Sequence, residues 1–187
     1  MNNLIVISAP SGAGKSTLCR ALQKKYPKIQ FSISSTTRSR REYEKDGYDY
    51  EFLTNEEFKN KIQTNKFIEF ETVHGYYYGT PKANIDNAIV QNQYLLLEVD
   101  VKGALKIKDA YQEHAITIFI TLPHVEDLLE RLRKRGTESE ERIAKRMERI
   151  EMELDHKDQF DHCIINDDFD RALTELINII GLEKQEN

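Results

Sequence analysis

A lysine, several hydroxyl side chains and two glycines stand close together near the start of the chain, in the segment Ser8-Ala9-Pro10-Ser11-Gly12-Ala13-Gly14-Lys15-Ser16-Thr17. Glycines let the backbone turn sharply, so that several N–H groups can point at one anion. A lysine adds a full positive charge, and the hydroxyl that follows it is a ligand for Mg²⁺ in phosphate-binding loops. These residue types in this order predict a loop that binds the phosphates of a nucleoside triphosphate, with residues 9–17 as the candidate contacts.

The flanking residues supply the context that such a loop requires. An apolar run, Leu4–Ser8, comes before it, and a helical pattern follows over Lys15–Tyr26. The helix amino terminus adds a positive dipole at the same place. We expect Lys15 to bind the β- and γ-phosphates and Ser16 to hold Mg²⁺. Ala9 stands where the full motif has glycine; we interpret this change as tolerated, and a glycine-rich turn with an incidental lysine is the alternative.

Strands and helices alternate along the rest of the chain. Further apolar strands are predicted at Tyr94–Val99, Ala115–Thr121 and His162–Ile165. Helical patterns lie between and after them, at Val101–Ala110, Val125–Lys134, Glu140–Phe160 and Phe169–Ile180. Continuous apolar strands that alternate with helices predict an α/β fold, in which helices flank a parallel sheet core.

Two regions depart from this alternation. Residues from about Ser34 to Thr80 are polar, rich in tyrosine and arginine, and contain short alternating runs. They predict a small mixed insertion on the core. Between Val125 and Phe160, two charged helices are joined at Arg135-Gly136-Thr137. The sequence therefore predicts one core with two additions.

The composition limits the kind of molecule and its compartment. The 187 residues include 27 Lys and Arg against 32 Asp and Glu, so the net charge of −5 argues against a general nucleic-acid-binding protein. Hydrophobic residues make up 39% of the chain, enough for the buried core of a single domain. Cys19 and Cys163 have no metal-ligand spacing, which fits a reducing compartment, and no apolar run is long enough to span a bilayer. We expect a cytoplasmic protein with no membrane partner.

A series of further motifs follows the phosphate loop. They lie at Ser32–Arg41, Asp46–Phe52, Phe67–Phe70, Tyr76–Thr80, Val99–Gly103, Arg135–Glu141 and Ile165–Asp168. In this order, and over residues 5 to about 182, they resemble the guanylate kinase family. The resemblance implies a P-loop nucleoside-monophosphate-kinase fold in a single domain. Its parts would be a core (1–33, 81–125 and 157–187), a GMP-binding insertion (34–80) and a helical lid (126–156).

The insertion carries side chains suited to a phosphate dianion. Arginines can present paired donors, and hydroxyl groups add donors without adding charge. The resemblance implies that the GMP phosphate contacts Ser34, Arg38, Arg41, Tyr50 and Tyr78. Arg40 stands between the two arginines where the family commonly has proline. We keep Arg38 and Arg41 as the pair that holds the phosphate.

The resemblance assigns the guanine base to Glu69, Thr80 and Asp100. A carboxylate at Glu69 can accept hydrogen bonds from N1–H and the exocyclic amine of guanine, whereas adenine offers neither donor there. Thr80 would reach the O6 carbonyl. Asp100 ends a core strand and could serve either the guanine amine or a Mg²⁺-bound water. Without the resemblance, Glu69 would be interpreted as a solvated residue of an alternating strand.

Arginines in the two charged helices form a third group of candidates. Arg131 and Arg135 are four residues apart, as are Arg142 and Arg146, so each pair shares a helix face. Arginines beside acidic neighbours commonly mark a solvated surface. The resemblance instead implies that Arg131, Arg135 and Arg146 act with Lys15 in catalysis, by neutralising charge during transfer.

The loop after the last predicted strand carries Asn166 and Asp168, which match residues that contact adenine in the family. A cap for the helix that begins at Phe169 is the alternative role. The two roles are compatible.

Together these features predict an enzyme that transfers the γ-phosphoryl group of ATP to GMP, and to dGMP, with Mg²⁺, in purine nucleotide metabolism. The implied partners are the small molecules ATP and GMP, with no polymeric nucleic acid and no membrane, and the sequence favours neither a monomer nor a homo-oligomer. The alternatives are a guanylate-kinase-like scaffold module that binds phosphopeptides without catalysis, and a kinase of the same architecture with another small phosphorylated acceptor. Lys15 and Ser16 favour catalysis, and Glu69 and Thr80 argue against another acceptor.

Overall fold

The computed structural model describes residues 3–73, 75–134 and 140–182, with the side chains of residues 130–134 and 140–146 outside that description. The strands are β1 (Leu4–Ser8), β2 (Gln30–Phe31), β3 (Ser35–Thr36), β4 (Glu51–Phe52), β5 (Phe67–Val73), β6 (Tyr76–Pro81), β7 (Leu95–Glu98), β8 (Ala115–Thr121) and β9 (His162–Ile165). The helices are α1 (Lys15–Lys25), α2 (Asn55–Gln63), α3 (Lys82–Val90), α4 (Val101–Tyr111), α5 (Val125–Lys134), α6 (Glu140–Leu154) and α7 (Phe169–Ile180). None of these described helices is long and apolar enough to cross a membrane.

The main sheet is parallel, with the strand order β2-β7-β1-β8-β9. Its central strand, β1, pairs with β7 and β8 in the registers Ile7↔Glu98 and Ser8↔Phe119. All residues of β1 and β8 are buried, because helices cover both faces of the sheet. The alternation of apolar strands with helices therefore predicts the sheet correctly.

Successive residues of β1 enter two separate cores, because side chains alternate across a strand. Ile5 packs on one face, in a cluster that includes Leu18 of α1 and Leu176 of α7. Val6 packs on the other face, in a cluster that includes Ile107 of α4. This burial on both sides fixes the carboxyl ends of β1 and β7 next to each other, beside the predicted phosphate loop.

A second sheet lies within residues 35–81 and has the strand order β4-β3-β6-β5. It is mixed, since β3 pairs with β4 in parallel and with β6 in the antiparallel sense. Phe58 of α2 is fully buried and stacks on the rings of Phe67 and Tyr77, at centroid distances of 4.5 and 5.3 Å. The insertion therefore has a small aromatic core of its own.

One predicted helix boundary is wrong. The pattern over Glu140–Phe160 predicts a single helix, but α6 ends at Leu154 and a 3₁₀ turn follows at Lys157–Gln159. The turn changes the direction of the chain, so that Phe160 packs on Phe119 at a centroid distance of 5.2 Å.

Candidate active site

The phosphate loop joins β1 to α1. Gly12 and Gly14 have φ values of +96° and +93°, in the region that favours glycine. The N–H of Ala13 donates to the Pro10 carbonyl at 3.2 Å, and the N–H of Leu18 donates to the Gly14 carbonyl at 3.1 Å, so the helix begins as soon as the turn is complete. The positive end of the α1 dipole therefore lies at the loop.

Asn166, directly after β9, supports this loop. Its side chain is buried, and Nδ2 donates to the Ala13 carbonyl at 2.7 Å. A Cβ atom at Gly14 would overlap the same amide, so glycine is required at position 14 by close packing as well as by its φ. The amide that the sequence analysis assigns to adenine is thus engaged with the loop.

The two side chains of the loop that are predicted to bind phosphate and metal, Lys15 and Ser16, contact the end of β7. Lys15 Nζ donates to the Val99 carbonyl at 3.0 Å and lies 3.8 Å from the Glu98 carboxylate. The Ser16 hydroxyl donates to the same carboxylate. This contact follows from the parallel register, which places Glu98 beside Ile7 just before the loop.

Glu98 is absent from the site residues predicted by sequence. Its signal is an acidic residue at the end of an apolar strand, the same feature that identifies Asp100 two residues later. Among the described residues, no group of three or more His, Cys, Asp or Glu side chains could hold a metal ion. Mg²⁺ bound with a nucleotide commonly takes only one or two carboxylates and completes its shell with phosphates and water. Ser16 and Glu98 fit that requirement.

Arg38 is held by a carboxylate and by aromatic rings. Its two terminal nitrogens donate to Glu44 at 2.7 and 3.1 Å, and its guanidinium lies 5.6 Å from the centroid of the Tyr50 ring. The rings of Tyr50 and Tyr78 meet edge to face at 6.0 Å. Hydrogen bonding to Glu44 raises the pKa of Arg38, and Tyr78 adds to this effect. The structure thus brings three of the predicted phosphate contacts together.

Glu44 is a second residue that the sequence analysis does not identify. Its side chain is only 6% exposed, and it also accepts a hydrogen bond from the backbone N–H of Arg41 at 2.8 Å. Hydrogen bonding from Arg38 lowers its pKa. The only signal in the sequence is an acidic residue inside an arginine-rich segment.

The three clustered arginines have different partners. Arg40 donates to the Glu44 carbonyl at 2.7 Å, and Arg41 donates to the Tyr43 hydroxyl at 2.8 Å. Both residues are exposed, whereas Arg38 is half-buried. Ser34, the remaining predicted contact, is half-buried directly before β3.

A second cluster contains the residues predicted to select the base. Glu69 and Thr80 are paired across β5 and β6, and the buried Thr80 hydroxyl donates to the Glu69 carboxylate. A Cβ atom at Gly103 would lie 3.0 Å from both Glu69 Cγ and Asp100 Oδ1, so this glycine lets α4 approach β5 closely. The side chains of Glu69, Thr80 and Asp100 therefore lie close together.

The electrostatics of this cluster follow from burial and crowding. Burial raises the pKa of Glu69, the Thr80 hydroxyl opposes that shift, and the charge of Asp100 adds to it. Burial and contact with Asp100 raise the pKa of Glu71 to about 6, and Arg149 opposes the shift. Asp100 caps α4, since its Oδ1 accepts from the Gly103 N–H at 2.7 Å.

The predicted catalytic arginines fall outside the described part of the chain. Arg135 lies wholly outside it. The side chains of Arg131, Arg142 and Arg146 also lie outside it. Asp168 is described, and it caps α7 by accepting a hydrogen bond from the Arg171 N–H at 2.8 Å. The capping role expected for Asp168 as an alternative is thus observed.

Comparison with known proteins identifies the family. The family model described as "Guanylate kinase" matches residues 1–183. This chain belongs to the guanylate kinase family. The family inferred from the motifs is therefore confirmed over nearly the whole chain.

Individual members of the guanylate kinase family agree with this assignment. The chain is 45% identical to a guanylate kinase of Caldanaerobacter subterraneus subsp. tengcongensis, over 97% of this chain and 87% of the relative. It is 42% identical to a guanylate kinase of Carboxydothermus hydrogenoformans, over 97% of this chain and 88% of the relative. The crystal structure of guanylate kinase from Anaplasma phagocytophilum matches with a TM-score of 0.76 at 31% identity, covering 97% of this chain and 86% of that one. The α/β nucleotide kinase fold is thereby confirmed.

Proposed function

We propose that this member of the guanylate kinase family transfers the γ-phosphoryl group of ATP to GMP, giving ADP and GDP. The observation that carries the proposal is the course of the chain after β7. The Val99 carbonyl accepts a hydrogen bond from Lys15 of the phosphate loop, and the next residue, Asp100, lies beside Glu69. Two adjacent residues after β7 therefore join the triphosphate-binding arrangement to Glu69, the carboxylate suited to guanine.

The donor side of the site is the phosphate loop. Backbone N–H groups of the glycine-rich turn and the Lys15 ammonium would bind the β- and γ-phosphates of ATP. Ser16 and Glu98 would hold Mg²⁺, which when bound supplies charge neutralisation at those phosphates. The Val99 carbonyl, at the carboxyl end of β7, already holds the Lys15 side chain. Little side-chain entropy should therefore be lost when ATP binds.

The acceptor side has separate groups for phosphate and base. Arg38, fixed by Glu44, offers paired donors beside the hydroxyl groups of Tyr50 and Tyr78. Arg41 and Ser34 complete the proposed phosphate site. Glu69 would accept hydrogen bonds from guanine N1–H and its amine, with Thr80 orienting the carboxylate and reaching O6. Adenine has no donors at these positions, so it would leave a part-buried carboxylate unpaired.

The proposed reaction needs alignment and charge neutralisation more than proton transfer. An oxygen of the GMP phosphate, ionised near neutral pH, forms a bond to the γ-phosphorus. The bond from that phosphorus to the β–γ bridging oxygen breaks, and ADP leaves with the electron pair. Lys15 stabilises the developing charge, and Arg131, Arg135 and Arg146 are proposed to share this role.

Several finer points stay predictions: dGMP as a second acceptor, Mg²⁺ as the metal, purine nucleotide metabolism as the setting and the cytoplasm as the location.

A coupled assay of ADP release tests the proposed function. The purified chain is supplied with ATP and Mg²⁺ and with GMP, dGMP, AMP, UMP or CMP in turn. We expect turnover with GMP and dGMP, little with AMP, and none with the pyrimidine nucleotides. Lys15→Ala should abolish turnover and leave GMP affinity largely intact. A chain inert toward all five acceptors would support a scaffold module, and preference for another acceptor would support the second alternative.

A further inference from the structure

Arg149 of α6 reaches the acceptor site from outside the insertion. Its Nη2 lies 3.3 Å from each carboxylate oxygen of Glu71 on β5 and 3.9 Å from Oδ2 of Asp100. Its Nε donates to Glu153, one turn along the same helix, at 2.9 Å. One guanidinium thus contacts carboxylates from three separate parts of the fold.

Glu69, Glu71 and Asp100 form an acidic wall, the name used below for these three residues. Glu69 and Glu71 are two residues apart on β5, so their side chains leave the same face of the strand. Asp100 approaches that face because Gly103 has no side chain to keep it away. Carboxylates this close together repel one another, and a cation that balances them keeps their side chains in place.

Arg149 is the ion-pair partner of this acidic wall among the described side chains. Lys106 adds an electrostatic attraction to Glu69. Both carboxylate oxygens of Asp100 have partners. Oδ1 accepts a hydrogen bond from the Gly103 N–H at 2.7 Å, and Oδ2 forms an ion pair with Arg149 at 3.9 Å. Glu69 makes its hydrogen bond with Thr80 instead, and its carboxylate keeps further lone pairs for a ligand.

We infer that Arg149 is a positioning residue for the acceptor nucleotide and that it acts through Asp100 and Glu71. It balances the charge of the acidic wall and holds the carboxylates of Asp100 and Glu71, so that the third carboxylate, that of Glu69, stays in place to accept hydrogen bonds from guanine. The inference rests on the proposed function, because that function assigns guanine to Glu69. A salt bridge that only stabilised the fold would leave the affinity for GMP unchanged.

The experiment compares Arg149→Ala, Arg149→Lys and the double variant Glu71→Ala/Arg149→Ala with the wild-type chain. Lys108→Ala is the matched control, because Lys108 is also half-buried and paired with an acidic residue, Asp161, away from the site. Isothermal titration calorimetry gives the dissociation constant for GMP. ADP release gives kcat and KM for GMP and ATP, and the thermal midpoint reports folding.

Arg149→Ala should raise the dissociation constant and KM for GMP by about tenfold, the lower end of the range for one hydrogen bond to a charged group. It should change KM for ATP by less than about twofold. Arg149→Lys should lie between this variant and the wild type, because it keeps the charge without the fork. The double variant should bind GMP at least about threefold more tightly than Arg149→Ala, because removing Glu71 lowers the repulsion that Arg149 balances. Lys108→Ala should leave both substrates unaffected.

Three results would overturn the inference: equal changes for GMP and ATP, a lower thermal midpoint with unchanged GMP affinity, or a double variant that binds GMP no better than Arg149→Ala. A wild-type chain that binds GMP without turnover would instead contradict the proposed function, and the GMP affinities would still decide the role of Arg149. A wild-type chain without affinity for GMP would contradict both.

Discussion

At the scale of single residues, the surroundings of Glu69 decide what its carboxylate can do. The side chain is half-buried, accepts a hydrogen bond from Thr80 and lies beside Asp100. Burial limits hydration, so a ligand that satisfies the remaining lone pairs gains more than it would at a solvated carboxylate. Guanine carries two neighbouring donors, N1–H and the exocyclic amine, and the proposed selectivity rests on their match to this carboxylate.

Replacing the Glu69 carboxylate by an amide tests this assignment. Glu69→Gln turns one acceptor into a donor, which would face the donors of guanine. We expect kcat/KM for GMP to fall about 10–100-fold, the range of one hydrogen bond to a charged group, with a much smaller change for AMP. Glu56→Gln, on the exposed face of α2, is the control. Steady-state ADP release with both acceptors measures the ratio, and an unchanged preference for GMP would remove Glu69 from base selection.

The raised pKa of Glu69 makes a prediction about pH. The ionised form accepts from guanine, so kcat/KM for GMP should fall as the pH drops through this raised pKa, above the range of an ordinary glutamate. The substrate phosphate titrates in a nearby range, with a pKa of about 6. The ratio of wild-type to Glu69→Gln kcat/KM cancels that shared effect, and it should fall toward one as the pH is lowered from 8 to 5. A ratio that stays constant would contradict ionisation of Glu69 as the cause.

Single residues of the site were predictable to different degrees. Lys15 and Ser16 follow from local spacing, because the loop, strand and helix that define their chemistry are contiguous in sequence. Glu98 does not, because only the parallel register of β1 and β7 brings it to the loop. Glu44 does not, because only its bidentate contact with Arg38 distinguishes it from other surface acids. Glu69 was identified only through the family resemblance. The alternating pattern of β5 predicts a strand, but it does not predict that α4 packs beside Glu69.

At the scale of elements, β9 supports the phosphate loop as well as completing the sheet. Asn166 follows this strand and donates to Ala13 across the molecule at 2.7 Å. The loop is therefore supported by a residue 153 positions away in sequence. A parallel sheet was predictable from the apolar pattern, whereas its strand order and this support by one side chain were not.

Asn166→Ala separates support of the loop from contact with adenine. Loss of the buried donor should lower the free energy of unfolding by about 1–3 kcal/mol, because the Ala13 carbonyl would stay buried without its partner. KM for ATP should rise together with KM for GTP as donor. Asn178→Ala, on the exposed side of α7, is the control. Urea denaturation measures the stability, and steady-state kinetics with ATP and GTP measure the two KM values. Unchanged stability together with an altered preference between ATP and GTP would assign the side chain to adenine instead.

At the scale of the whole molecule, the two sheets have separate cores. The main sheet buries apolar clusters on both faces, and the insertion depends on stacked rings around Phe58. Separate cores allow local loss of structure in one part without unfolding of the other. The insertion carries most of the proposed acceptor site, so damage to its core should affect GMP and spare ATP.

Phe58→Ala tests that separation. Truncation of this fully buried ring removes about 3–5 kcal/mol of local stability. We expect KM for GMP to rise at least about tenfold, while KM for ATP changes less than about twofold. Phe119→Ala makes the same truncation in the main sheet, and it should impair both substrates together. If Phe58→Ala impaired ATP and GMP equally, the insertion would not be an independent unit.

The central claim is that one site binds two nucleotides with their phosphates end to end. A ligand with adenosine and guanosine joined by a five-phosphate chain should occupy both halves at once, and calorimetry measures its dissociation constant directly. The account predicts binding about 10²–10⁴-fold tighter than that of ATP or GMP alone, and much weaker binding of the matched ligand with two adenosines. Affinity for the mixed ligand no greater than for ATP, or equal affinity for the two linked ligands, would contradict it.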